Sequence, residues 1–115
     1  MLPARSTLNM KNYKQHFKGK KITVMGLGLL GRGIGYTKFL AQCGAELTVT
    51  DLKSHHDLAT SVALLSKFPN IHFVLGEHRL EDFRNADMVI KAAGVSLDSI
   101  YITEARRNKI PVVMD

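Results

Sequence analysis

"KKITVMGLGLLGRGIGYTKFLAQCGAELTVTD" occupies residues 20–51, and its reading decides the fold. Ile22 to Met25 is a short β-branched and apolar run closed by Gly26, the signature of a buried strand. From Leu29 the spacing changes. Leu29, Gly33, Tyr36, Leu40 and Cys43 recur at helical intervals, with Leu30, Ile34, Thr37 and Ala41 as the neighbouring stripe. Gly44 follows where a helix-terminating glycine belongs. Leu47 to Thr50 is a second strand, so the stretch is one β-α-β unit. Between its first strand and its helix lies Gly26-Leu27-Gly28-Leu29-Leu30-Gly31, a match to G-x-G-x-x-G.

That pattern alone is common. Here it follows a strand and opens a helix, and an acid, Asp51, ends the next strand. Each glycine then has a physical task. Gly26 permits the turn off the strand, Gly28 lets backbone approach a diphosphate, and Gly31 lets the helix lie close to the sheet. The helix amino terminus offers unpaired N–H groups and partial positive charge to phosphates. Asp51 accepts a hydrogen bond from a ribose hydroxyl or a base N–H and repels a 2′-phosphate, which disfavours NADP. These features do not separate NAD from a UDP-type ligand. Gly33 and Gly35 fall outside the pattern, and each costs about 1 kcal/mol against Ala inside a helix. Close packing of the helix on the sheet, or approach of a neighbouring segment, would account for them.

The same alternation continues downstream. Ser54 or Asp57 is positioned to cap a helix running to about Lys67, and Phe68-Pro69-Asn70 breaks it. Ile71 to Leu75 is a third strand, and Glu77 to Ala86 is polar with room for one helical turn. Met88 to Ala92 is a fourth strand, Ser99 to Asn108 a helix and Ile110 to Met114 a fifth strand. Nearly all-apolar strands alternating with helices predict an α/β fold: a Rossmann-like, doubly wound, five-stranded parallel sheet of order 3-2-1-4-5.

At 115 residues a single domain is expected, here residues 19–115 behind a basic arm over 1–18. The net charge of +6 is confined to residues 1–21. Residues 1–21 hold Arg5, Lys11, Lys14, Lys18, Lys20 and Lys21 and no acid, whereas residues 22–115 hold ten bases and ten acids. A nucleic-acid binder carries its basic face on the folded part, so no nucleic-acid partner is expected. The arm reads as a solvated leader with room for a short helix over Asn12 to Phe17. No run of 18 apolar residues and no signal-peptide pattern occurs, so no membrane partner and a cytoplasmic location are expected. A lone Cys43 fits a buried apolar role in a reducing compartment. Adjacent His55 and His56 point to different helix faces, and no Cys or His spacing resembles a zinc site, so no metal site is expected. No catalytic constellation is present.

Five segments together resemble the amino-terminal domain of the Mur ligases, and among them the D-glutamate-adding branch. They are "GKKITVMGLGLLGRG" (Gly19–Gly33), "GAELTVTDLKS" (Gly44–Ser54), "VLGEHRLEDF" (Val74–Phe83), "ADMVIKAAGV" (Ala86–Val95) and "RRNKIPVV" (Arg106–Val113). The run from Gly76 to Phe83 is the most specific, because generic NAD-binding folds lack it. The resemblance implies a domain that binds the UDP moiety of UDP-N-acetylmuramoyl-L-alanine during ATP-dependent amide-bond formation in peptidoglycan synthesis. It implies that Gly28, Leu29, Leu30 and Gly31 face the diphosphate, that Asp51 reads the uracil with Leu52 and Lys53 beside it, and that Ala92 and Gly94 line the substrate. D-glutamate, ATP and Mg²⁺ would enter through central and carboxy-terminal domains absent from this chain. No G-x-x-x-x-G-K-[ST] loop occurs, so these residues alone are expected neither to bind a cofactor nor to catalyse ligation. Two segments depart from the family. Leu30 stands where Ser or Thr is usual, and Ala92-Ala93 where Ser-Pro is usual, each lost hydroxyl contact costing about 0.5–1.5 kcal/mol. The alternative reading is an NAD-binding domain of an oxidoreductase or regulator.

Overall fold

The computed structural model describes residues 10–27, 32–92, 95–96 and 98–114. Five strands form one sheet: β1 (Lys21–Met25), β2 (Glu46–Asp51), β3 (Ile71–Leu75), β4 (Met88–Lys91) and β5 (Val112–Met114). Their order is β3-β2-β1-β4-β5, and all four pairings are parallel. This is the sheet read from the sequence. The helices are α1 (Met10–Phe17), α2 (Arg32–Gln42), α3 (Ala59–Leu65), α4 (Leu80–Arg84) and α5 (Ile100–Arg107). The helix start at Leu29 lies outside the described residues.

Strand alternation divides the core into two layers. Ile22, Val24, Leu47, Val49 and Ile90 face one way and meet Leu40, Ala41 and Cys43 from the end of α2 and Leu65 from α3. Met25 and Val89 face the other way and meet Phe83 from α4 and Ile102 and Ala105 from α5. Thr23 shares that second face, where its hydroxyl donates to the Asp82 carbonyl of α4 at 2.6 Å. Cys43 is buried, and burial pushes its thiol pKa up against the opposing field of Lys14, as suits a packing role.

Helix ends follow local chemistry in two places. Gly44 takes φ +86° after α2, with Gly44 N–H donating to the Ala41 carbonyl and Ala45 N–H to Leu40, a Schellman closure. Ser99 caps α5, its hydroxyl accepting from Tyr101 N–H at 3.2 Å. At α3 the expectation fails. The Ser54 hydroxyl accepts from Asp57 N–H, at 3.3 Å, in the preceding turn, and neither Ser54 nor Asp57 caps the helix, which starts after Leu58.

The solvated-leader reading of the basic arm is also corrected. α1 begins earlier than Asn12 and docks on the first core layer. Phe17 is 3% exposed, and Tyr13 packs edge-on against Phe39 at 5.5 Å. Charge along this segment had masked two aromatic anchors, each able to bury a large apolar area.

Candidate functional site

In an open parallel sheet, ligands bind beyond the carboxyl ends of the strands where the strand order reverses, here between β1 and β4. The chain leaves β1 at Gly26, which takes φ +92° and donates its N–H to the Thr50 carbonyl at 2.8 Å. A Cβ on Gly26 would sit 2.9 Å from the Ala92 Cβ and 3.5 Å from Val95 Cγ2. The turn after β1 and the turn after β4 are therefore in direct contact. Ala92 N–H in turn donates to the Met25 carbonyl at 3.0 Å.

Asp51 ends β2 and is 8% exposed. Its two oxygens hold two different segments. Oδ2 accepts from Leu27 N–H at 2.9 Å and Oδ1 from Lys53 N–H at 2.9 Å. The acid thus fixes the second residue of the glycine loop and its own turn at once. Each carboxylate oxygen retains a further lone pair. Leu52, next in the chain, is 67% exposed, and Lys53 is exposed as well.

The conspicuous run after β3 closes one side. Gly76 N–H donates to the carbonyls of Asp51 and Lys53, both at 2.9 Å, and Asp51 and Glu77 form an antiparallel bridge. The Thr50 hydroxyl lies 3.0 Å from the Glu77 carbonyl and 2.7 Å from His78 Nδ1. With the hydroxyl donating to Glu77, Nδ1 is the donor to Thr50 and Nε2 the basic nitrogen. His78 also packs edge-on against Tyr101 at 5.1 Å and Phe83 at 6.0 Å. Within the same run Arg79 reaches both oxygens of Asp82, at 2.9 and 3.0 Å.

Burial holds the His78 pKa below its ordinary 6.5, against the opposing field of Asp51. The unfolded chain then binds this proton more readily than the folded one. Stability is full above pH 6.5 and falls as pH drops from there through the lower folded pKa. Urea unfolding at about pH 7.5 and about pH 5.5 is expected to give a lower midpoint at the acid pH, and His78→Asn should shrink that difference. An unchanged difference in the variant would remove His78 from the acid response.

Gly33 and Gly35 separate. A Cβ on Gly33 would overlap the Leu27 carbonyl oxygen, so α2 approaches the glycine loop only because this position lacks a side chain. Gly35 has nothing within 4 Å and no packing reason, so the expectation of close approach holds at Gly33 and not at Gly35.

Of the site residues anticipated, Asp51, Leu52, Lys53 and Ala92 gather at this end of the sheet, while Gly28, Leu29, Leu30, Gly31 and Gly94 lie outside the described residues. Sequence reasoning missed Lys91, whose only signal was a charge inside an apolar strand. It also missed the Thr50–His78 pair. A separate cleft of about 550 Å³ opens at the opposite, amino-terminal edge, between Thr23, Thr48, His72 and α4. It is remote from the loops above. No helix among the described residues is long and apolar enough to cross a membrane.

Comparison with known proteins agrees with this geometry. Residues 20–114 match the family model described as Mur ligase MurD-like, N-terminal domain. The UDP-N-acetylmuramoylalanine–D-glutamate ligase of Treponema pallidum is 46% identical over 85% of this chain and 19% of its own length. The enzyme of the same name from Roseiflexus sp. is 45% identical over 84% of this chain and 21% of its own. The chain thus spans about a fifth of the length of these relatives. Among solved structures, the UDP-N-acetylmuramate-alanine ligase of Thermotoga maritima matches with TM-score 0.62 and 22% identity, covering 83% of this chain and 20% of that one. An L-tryptophan dehydrogenase from Nostoc punctiforme matches with TM-score 0.56 and 17% identity, covering 91% and 30%. Likeness at this distance shows the fold alone.

Proposed function

The chain belongs to the Mur ligase family as a MurD-like amino-terminal domain, and from that premise we propose that it holds the UDP moiety of UDP-N-acetylmuramoyl-L-alanine. The observation that carries this reading is the Asp51 carboxylate. It ties the start of the glycine loop to the end of β2, keeps lone pairs free for a donor on the ligand, and has the exposed apolar Leu52 beside it. In this reading a uracil N–H donates to Asp51 while Leu52 and Lys53 flank the ring. The backbone from Gly28 to Gly31 and the amino end of α2 take the diphosphate. Ala92 and Gly94 line the path toward the sugar.

The chemistry of the complete enzyme is then ATP-dependent ligation. ATP would pass its terminal phosphoryl group to the substrate carboxylate with release of ADP, the amine of D-glutamate would displace inorganic phosphate to form the amide, and Mg²⁺ would supply positive charge to the phosphates. None of those groups is held by the residues described above; this domain's task is to bind and orient. A cytoplasmic setting follows from the substrates. The NAD-binding alternative has no support beyond the shared fold.

Calorimetric titration of this chain with UDP-N-acetylmuramoyl-L-alanine, UDP and NAD in parallel tests the reading. Binding of the two uridine ligands with no response to NAD is expected. Tight NAD binding without a UDP response would overturn it.

A further inference from the structure

We propose that Lys91 is the positioning residue for the ligand's diphosphate, holding the turn after β4 against the glycine turn and supplying positive charge that the phosphates complete. The inference rests on the uridine-nucleotide reading above and adds a residue to it.

Lys91 is 2% exposed at the end of a strand that is otherwise apolar. Its Nζ donates to the Ala92 carbonyl at 3.0 Å and to the Val95 carbonyl at 2.5 Å. Val95 N–H also donates to the Ala92 carbonyl, at 3.0 Å, so Ala92 and Val95 are tied both to each other and to the lysine. Lys91 pairs with Met25 across β1 and β4, and the next residue of β1's chain is Gly26, which contacts Ala92 and Val95. The lysine, the turn it clasps and the glycine turn are consecutive layers at the strand-order reversal.

The charge is not balanced locally. Among the described residues no carboxylate forms a salt bridge with Lys91, and only two of its three N–H donors have acceptors. Burying a cation against carbonyl dipoles alone costs stability that a methionine here would not. What the lysine contributes therefore belongs to the ligand-bound state. A diphosphate at the adjoining loop supplies the missing negative charge in a setting where water screens poorly. Lys91 acts through the turn and through its field, not by contact with reacting atoms.

Lys91→Met keeps the apolar stem and removes the charge and both donors. Titration of wild type and variant with UDP and with uridine separates an electrostatic role from a structural one. UDP affinity is expected to fall about tenfold or more in the variant, uridine affinity less than about twofold, and the salt dependence of UDP binding to weaken. Equal losses for both ligands, or no loss, would overturn the proposal. If the variant does not fold, the ¹⁵Nζ resonance of Lys91 in the wild type is the readout. It should shift with saturating UDP and stay put with uridine, and an unmoved signal under UDP would be equally decisive against the role. Failure of the wild type to bind either ligand sinks the uridine reading and this proposal with it. Wild-type binding with an unaffected variant sinks only the proposal.

Discussion

Asp51→Ala is expected to abolish measurable UDP binding and to lower folding stability by about 2–4 kcal/mol, because it removes two hydrogen bonds to a charged acceptor and leaves a buried donor unmet. The two losses share one cause. Oδ2 holds Leu27 N–H and Oδ1 holds Lys53 N–H, so the carboxylate shapes the loop before any ligand arrives. Asp51→Asn divides the effects. The amide keeps one acceptor and places a donor against the other backbone N–H, so it should recover part of the stability and little of the binding. Urea unfolding and calorimetry read the two quantities separately. An alanine variant of normal stability would mean that the loop does not depend on this clamp. Unchanged UDP affinity would reject Asp51 as the base reader.

Gly33→Ala should be nearly as damaging. The added methyl overlaps the Leu27 carbonyl oxygen, a backbone atom that cannot swing aside like a flexible side chain. Either α2 lifts from the loop or the loop moves, at the upper end of the about 1–3 kcal/mol typical of overpacking. Because Leu27 N–H is also the Asp51 partner, any shift of that residue loosens the clamp, and UDP affinity should fall with stability. Gly35→Ala is the matched control two residues along the same helix. It meets open space, so only helix propensity changes, and stability should rise by about 0.5–1 kcal/mol. A Gly33 variant behaving like the Gly35 variant would mean that the loop yields freely.

The sheet was legible because its signals are local and redundant. Ile22 to Met25, Leu47 to Thr50 and Met88 to Ala92 are largely apolar runs of strand length separated by helical spacing, and parallel order follows from crossover handedness. Gly44 was legible for a similar reason: the glycine that ends a helix is chosen by its own backbone geometry. Ser54 misled because its hydroxyl satisfies a turn first, and several residues intervene before α3 begins. Asp51 was found by spacing, yet its bond to Leu27 was not, since that depends on the height of a loop above the sheet. Lys91 was invisible for the opposite reason. A lysine in a strand signals exposure, and only the three-dimensional turn above it explains how the side chain is buried.

The docked amino-terminal helix separates ancestry from architecture. The family model begins at residue 20, whereas the packed interior already includes Phe17 and draws on Tyr13. A protein cut where the family model starts would keep every residue that the model matches, yet expose Phe39 and the end of α2 to water as a sticky flank. The boundary of the family pattern and the boundary that solvent recognises are, in this molecule, about two helical turns apart.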